Sequence, residues 1–147
     1  MNNIERNLKD FSLDFNKLYA EEPEVLMASL ELQQGETIKE IEYSLKTDIA
    51  IHSIFITAHN DSDPQYASGW SVREENANEE IINDCVETRK VLSKGFVMGQ
   101  SSANFYIPFP KPILIYKNKP ILFGLYSNQY NVYSALKVLI YFTRVFK

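Results

Sequence analysis

The chain has 147 residues, a formal net charge of −4, one cysteine and two histidines, with 45% hydrophobic and 13% aromatic residues. That length suits one domain with a core large enough to stand without cross-links, and the lone Cys85 excludes an intrachain disulfide framework and a cysteine-based zinc site. The acidic balance argues against nucleic acid as the main partner, no apolar run reaches transmembrane length, and no signal-peptide pattern opens the chain, so Sec export is not expected.

Ile4, Leu8, Phe11, Phe15 and Leu18 recur at spacings of four, three, four and three, one stripe of a helix, with Asn2 or Asn3 to cap it. A rival reading takes Phe11, Leu13 and Phe15 as a short alternating strand. Residues 1–20 are set apart as an N-terminal helix or arm, packing either on its own domain or on a neighbouring subunit. Ala20 to Pro23 breaks the pattern, and residues 21–147 form the second unit, a β-sandwich domain. Leu26, Ala28, Leu30 and Leu32 alternate with Met27, Ser29, Glu31 and Gln33 and predict a half-buried strand. Gly35 marks a turn, and Lys39 to Leu45 is expected to return as the hairpin partner. Ile49 to Ala58 is apolar on both faces and is expected to be central. A polar loop over 59–69 and a short strand at Trp70 to Arg73 follow. Residues 81–92 fit a helix through Ile81, Ile82, Cys85, Val86, Arg89 and Leu92, yet sit between strands.

The last third, Asn104 to Lys147, organises the rest and reads as the core half of the sandwich. Pro108, Pro110 and Pro112 exclude a helix and a central strand position there, so Phe105 to Lys111 should run extended along an edge or between sheets. Ile113 to Tyr116 and Ile121 to Tyr126 read as two strands about a Lys117-Asn118-Lys119 turn. Leu136, Val138, Ile140 and Phe142 then alternate through a long closing strand.

Chemistry is sparse. His52 and His59 make no metal set with cysteine. Asn60 to Asp63 is oxygen-rich but lacks the glycine and distant glutamate of a calcium loop, and reads as a solvated turn. Asp10 and Asp14 read as surface carboxylates. No nucleophile elbow, phosphate loop or dinucleotide fingerprint occurs. Trp70 with Tyr66 is the candidate sugar-stacking pair, but one aromatic pair is a weak signal and a role at the rim of the core is the favoured reading. An enzyme would need a pocket joining His52 or His59 to a carboxylate.

Three ordered pieces, LELQQGETIKEIEYSLKTDIAIHSIFITA (30–58), FYIPFPKPILIYKNKPILFGLYSN (105–128) and VYSALKVLIYFTRVF (132–146), carry a resemblance. Their order is similar to small β-sandwich virion proteins of bacteriophages, over about two-thirds of the chain. In that family the segment matching 78–95 is extended, and a glycine often stands where this chain has Thr143. The resemblance implies an all-β, antiparallel, jelly-roll-like sandwich with a short N-terminal helix or arm. It implies a noncatalytic virion structural protein with no cofactor, in capsid, vertex or head–tail region. Such a protein would assemble in the host cytoplasm as a homo-oligomer and contact other virion proteins. The expected interface is Ile4, Leu8, Phe11, Phe15 and Leu18. The alternative is a carbohydrate- or receptor-binding β-sandwich module.

Overall fold

The structure, a computed structural model, describes residues 23–75, 90–127 and 130–145. Alternating apolar and polar residues give a pleated strand one face to bury, and eight strands follow from that pattern. They are β1 (Glu24–Leu32), β2 (Ile38–Tyr43), β3 (Ile49–Asn60), β4 (Ala67–Glu74), β5 (Val91–Met98), β6 (Ser101–Ile115), β7 (Ile121–Ser127) and β8 (Ser134–Arg144). No helix occurs among the described residues. The strands form two antiparallel sheets, ordered β1-β8-β3-β6 and β2-β7-β4-β5. Every connection except β4 to β5 passes from one sheet to the other. This is the eight-stranded jelly roll, two sheets wound as Greek keys.

The core lies between the sheets. From the first sheet come Leu26, Leu30, Leu32, Ile49, Ile51, Ile54, Ile56, Leu136, Val138 and Ile140; from the second come Trp70, Val72, Ile121, Phe123 and Leu125. Each such side chain contributes roughly 1.5–3 kcal/mol relative to exposure. The expected alternation of β1, the central place of β3 and the strand at Ile121 to Tyr126 all stand.

Other expectations change. Lys39 to Leu45 is not the hairpin partner of β1; β2 pairs with β7 in the opposite sheet. All six β2 residues are exposed, so no buried face ties it beside β1. The candidate helix over 81–92 ends in a strand instead: Val91 and Leu92 open β5, held by its ladder with β4. Residues 81–89 lie outside the described residues, as does the arm at 1–20. Phe105 to Ile115 lies in one strand with a local break rather than in two segments. Ile51 pairs with Ile113, but Ser53 pairs with Pro108, so the residues from Phe109 to Pro112 bulge out of the ladder. β8 registers the same irregularity opposite Ile51 and Ser53, which leaves His52 as the extra residue on β3.

Two polar arrangements close the ends. At one end the side chains of Asn60, Ser62, Ser68, Asn131 and Ser134 are buried between crossovers. The Asn60 amide donates to the carbonyls of Tyr66 and Val97, its oxygen accepts from Ser62 N–H, and Asn131 donates to the carbonyls of Leu32 and Gln33. Neutral side chains thereby satisfy backbone groups that leave the ladders. At the other end, the amide of buried Glu74 donates to the Lys90 carbonyl, and the Glu74 carboxylate accepts the Lys90 amide at 3.0 Å. This pair joins the two sides of the segment that links β4 to β5.

Candidate functional surfaces

The jelly roll brings together residues that the sequence separates. His59 pairs across strands with Ser102. Its Nδ1 lies 2.7 Å from Ser102 Oγ, and its Nε2 lies 2.5 Å from Asp61 Oδ1. Serine, histidine and aspartate in series suit nucleophilic catalysis only where water is excluded and donors await a developing oxyanion. Here the side chains of His59 and Asp61 are 41% and 51% exposed. The amides of the adjoining turn are committed: Gly99 donates to the Tyr66 carbonyl and Gln100 to the Asn60 carbonyl. The array is a hydrogen-bonded surface row. Ser102 was not visible as a partner of His59 because only strand register places it there.

His52, the bulge residue, sits half-buried with Nε2 2.8 Å from Thr143 Oγ1. Burial lowers its pKa from the ordinary 6.5, which favours the neutral ring. Its ring is thus hydrogen-bonded across to β8 rather than held in a metal set. Asn60 to Asp63 is only half a solvated turn: Asp61 and Asp63 are exposed, while Asn60 and Ser62 are buried supports.

The candidate sugar-stacking pair does not form. Trp70 is 5% exposed, in the core rather than at its rim. Its ring occupies the space over Gly95, where a Cβ would come within 2.5 Å of it. Tyr66 instead stacks on Tyr130, centroids 4.8 Å apart. An open depression of about 120 Å³ lies among Tyr43, Leu45, Thr47, Phe142 and Arg144, well below the few hundred Å³ of a small-molecule pocket. Among the described residues no group of three or more His, Cys, Asp or Glu side chains is placed to hold a metal, and no helix is long and apolar enough to cross a membrane.

The surfaces that stand out are sheet faces. On the outer face of the first sheet, Met27 pairs with Leu139, Leu139 with Phe55, and Phe55 with Tyr106. One apolar row thus crosses all four strands. Val25 beside Tyr141 extends it along β1 and β8. Met27 and Tyr106 are 60% and 62% exposed. On the outer face of the second sheet, Ile38, Tyr126, Gly69 and Phe96 form a shorter row. Beside it the Tyr126 hydroxyl donates to Glu40, Ser71 lies 2.9 Å from that hydroxyl, and Arg73 faces Glu40 at 3.8 Å. The expected interface residues Ile4, Leu8, Phe11, Phe15 and Leu18 lie outside the described residues, as do Asp10, Asp14 and Cys85.

No protein-family model matches the chain, and no curated protein matches it in sequence. Among solved structures, a chain from Bacillus endospore appendages, described as disulfide-linked pili, is 11% identical, covering 83% of this chain and 88% of that one, with a TM-score of 0.47. The Yersinia pseudotuberculosis-derived mitogen is 6% identical over 86% of this chain and 89% of its own, with a TM-score of 0.39. A chain of the empty head of Turnip Yellow Mosaic Virus is 12% identical over 86% and 82%, with a TM-score of 0.37. All three scores lie under 0.5, so these likenesses carry no argument, and the jelly roll rests on the strand order above.

Proposed function

We propose that the chain is a noncatalytic structural component of a bacteriophage particle that associates with copies of itself and with other virion proteins. The observation that carries this reading is the outward-facing apolar row Met27–Leu139–Phe55–Tyr106, half-buried at its centre and exposed at both ends, in register across a four-stranded face. Contiguous apolar surface of this kind marks a protein contact, and repeated self-complementary patches build symmetric assemblies. The sequence resemblance supplies the virion context. In this reading residues 1–20 are an arm whose Ile4, Leu8, Phe11, Phe15 and Leu18 meet a neighbouring copy, and no cofactor takes part.

The test is the absolute mass of the native protein by light scattering, for the full chain and for one starting near Glu21. A closed oligomer that falls apart without the first twenty residues supports the assembly reading and the arm. A monomer at every concentration, with no incorporation into purified particles, overturns it.

A carbohydrate- or receptor-binding module is the second reading. It now rests on Phe96, 68% exposed beside Gly69 and the Tyr126–Glu40–Arg73 network, in place of Tyr66 and Trp70. Retention on a glycan column that Phe96→Ala abolishes would promote it.

A further inference from the structure

A sheet edge exposes unpaired backbone donors and acceptors, and folded proteins guard such edges with charges, prolines and bulges. This sandwich has four edge strands, β1, β6, β2 and β5. β2 carries Lys39, Glu40 and Glu42. β5 carries Lys94 and a register break beside β4. β1 is bounded by Glu24 and Glu31, and its inward residues Leu26, Ala28, Leu30 and Leu32 are already buried, so a strand added there would cover one face only. β6 is guarded over half its length. Pro108, Pro110 and Pro112 cover the bulge, and beyond them the Lys90 ammonium donates to the Leu114 carbonyl. From Ser101 to Ile107 the same strand has neither a charge nor a proline. Phe105 and Tyr106 point to opposite faces there and are 47% and 62% exposed.

We infer that Ser101 to Ile107 of β6 is the pairing edge for β6 of a second copy of this chain, antiparallel across a two-fold axis. The register follows from the backbone. Pro108 stands opposite Ser53 and has no N–H to give to β3. In an antiparallel ladder the direction of the backbone groups alternates, so Tyr106, Asn104 and Ser102 also aim theirs at the free edge. A two-fold axis at Asn104 sets Asn104 opposite Asn104 of the second copy and Ser102 opposite Tyr106. Those three pairs exchange about six backbone hydrogen bonds. They also set Phe105 opposite Ala103, which covers on the inner face the aromatic ring that the edge now leaves exposed. On the outer face the row Met27–Leu139–Phe55–Tyr106 is brought beside its symmetry mate, and two four-stranded sheets become one of eight. The inference rests on the self-association proposed above and assigns it a surface distinct from the arm.

The test uses the full chain and two substitutions. Asn104→Lys sets like charges directly opposite each other across the axis, which destabilises a strand pair. Asn104→Pro removes one outward N–H at a position that, like Pro108, gives none to β3. Circular dichroism and thermal melting confirm that each variant is folded, and the lysine variant keeps the test open where the proline variant does not fold. Light scattering over a concentration series should give an even number of protomers for the full chain and association weakened at least about tenfold in the variants. In a Cys85→Ser background, oxidised Asn104→Cys should form a disulfide-linked dimer, because paired strands set these Cα atoms about 5.5 Å apart. Association unchanged in the folded variants, but lost on removal of residues 1–20, overturns the pairing edge and leaves the assembly reading intact. A full chain that is monomeric at every concentration overturns both.

Discussion

His52 couples the stability of the fold to pH. It is the extra residue of the β3 bulge, half-buried, with its ring against Thr143. Burial lowers its pKa below 6.5 in the folded chain, so the unfolded chain takes up the proton first as pH falls. Its contribution is therefore fully present above about pH 6.5, and is lost as pH falls from there to the lower folded value. Urea unfolding at pH 8.0, 6.5 and 5.5 should show the wild type losing more stability on acidification than His52→Gln. Equal losses in the two proteins, or an imidazole titration midpoint at or above 6.5 by NMR, would sink the assignment. That the residue lies in a central strand was legible in the sequence. The bulge was not, because it arises where β3 meets two partners whose registers both slip at one place.

At the scale of strands, burial decides which hydrogen bonds open first. β3 and β8 are interior strands of the first sheet, with alternate side chains inside the core. β2 is an edge strand with every residue exposed and one ladder, to β7. Native-state hydrogen exchange should find amides of β3 and β8 opening only near the global unfolding free energy, and those of β2 opening well below it. Protection in β2 equal to that in β3 would show that a partner covers β2 in solution. The same contrast explains what sequence reading reached. Strands with a buried face, such as Leu26 to Leu32 and Ile121 to Leu125, announce themselves by period two. The partner of β2 was misjudged because adjacency along the chain suggested a hairpin, while a jelly roll sends nearly every connection across to the other sheet. Trp70 was misplaced for a related reason. Gly95 opens the space for its ring, and Gly95 reaches Trp70 only through the ladder of β4 with β5. The surface rows have no period at all in the sequence, since each takes one residue from each of four strands.

The whole molecule is held by pairings between distant parts of the chain. β1 is paired along its full length with β8, from Glu24 opposite Phe142 to Leu32 opposite Ser134. β8 is also the strand that joins β1 to β3. A chain ending at Tyr133 should therefore lose the cooperative melt seen by circular dichroism and elute as aggregate, since β1 and one edge of β3 would have nothing to pair with. A truncated chain with a native-like melt would show that the second sheet is stable alone. Folds dominated by such long-range pairs fold in milliseconds to seconds rather than microseconds. The β1–β8 ladder also sets a schedule at the ribosome. β1 is made about a hundred residues before its mate; at about 5–20 residues per second, that stretch takes roughly 5–20 seconds to appear. Through that interval Leu26, Leu30 and Leu32, which end up buried, are without their ladder. A cell making many copies at once must keep those chains apart until each has received β8.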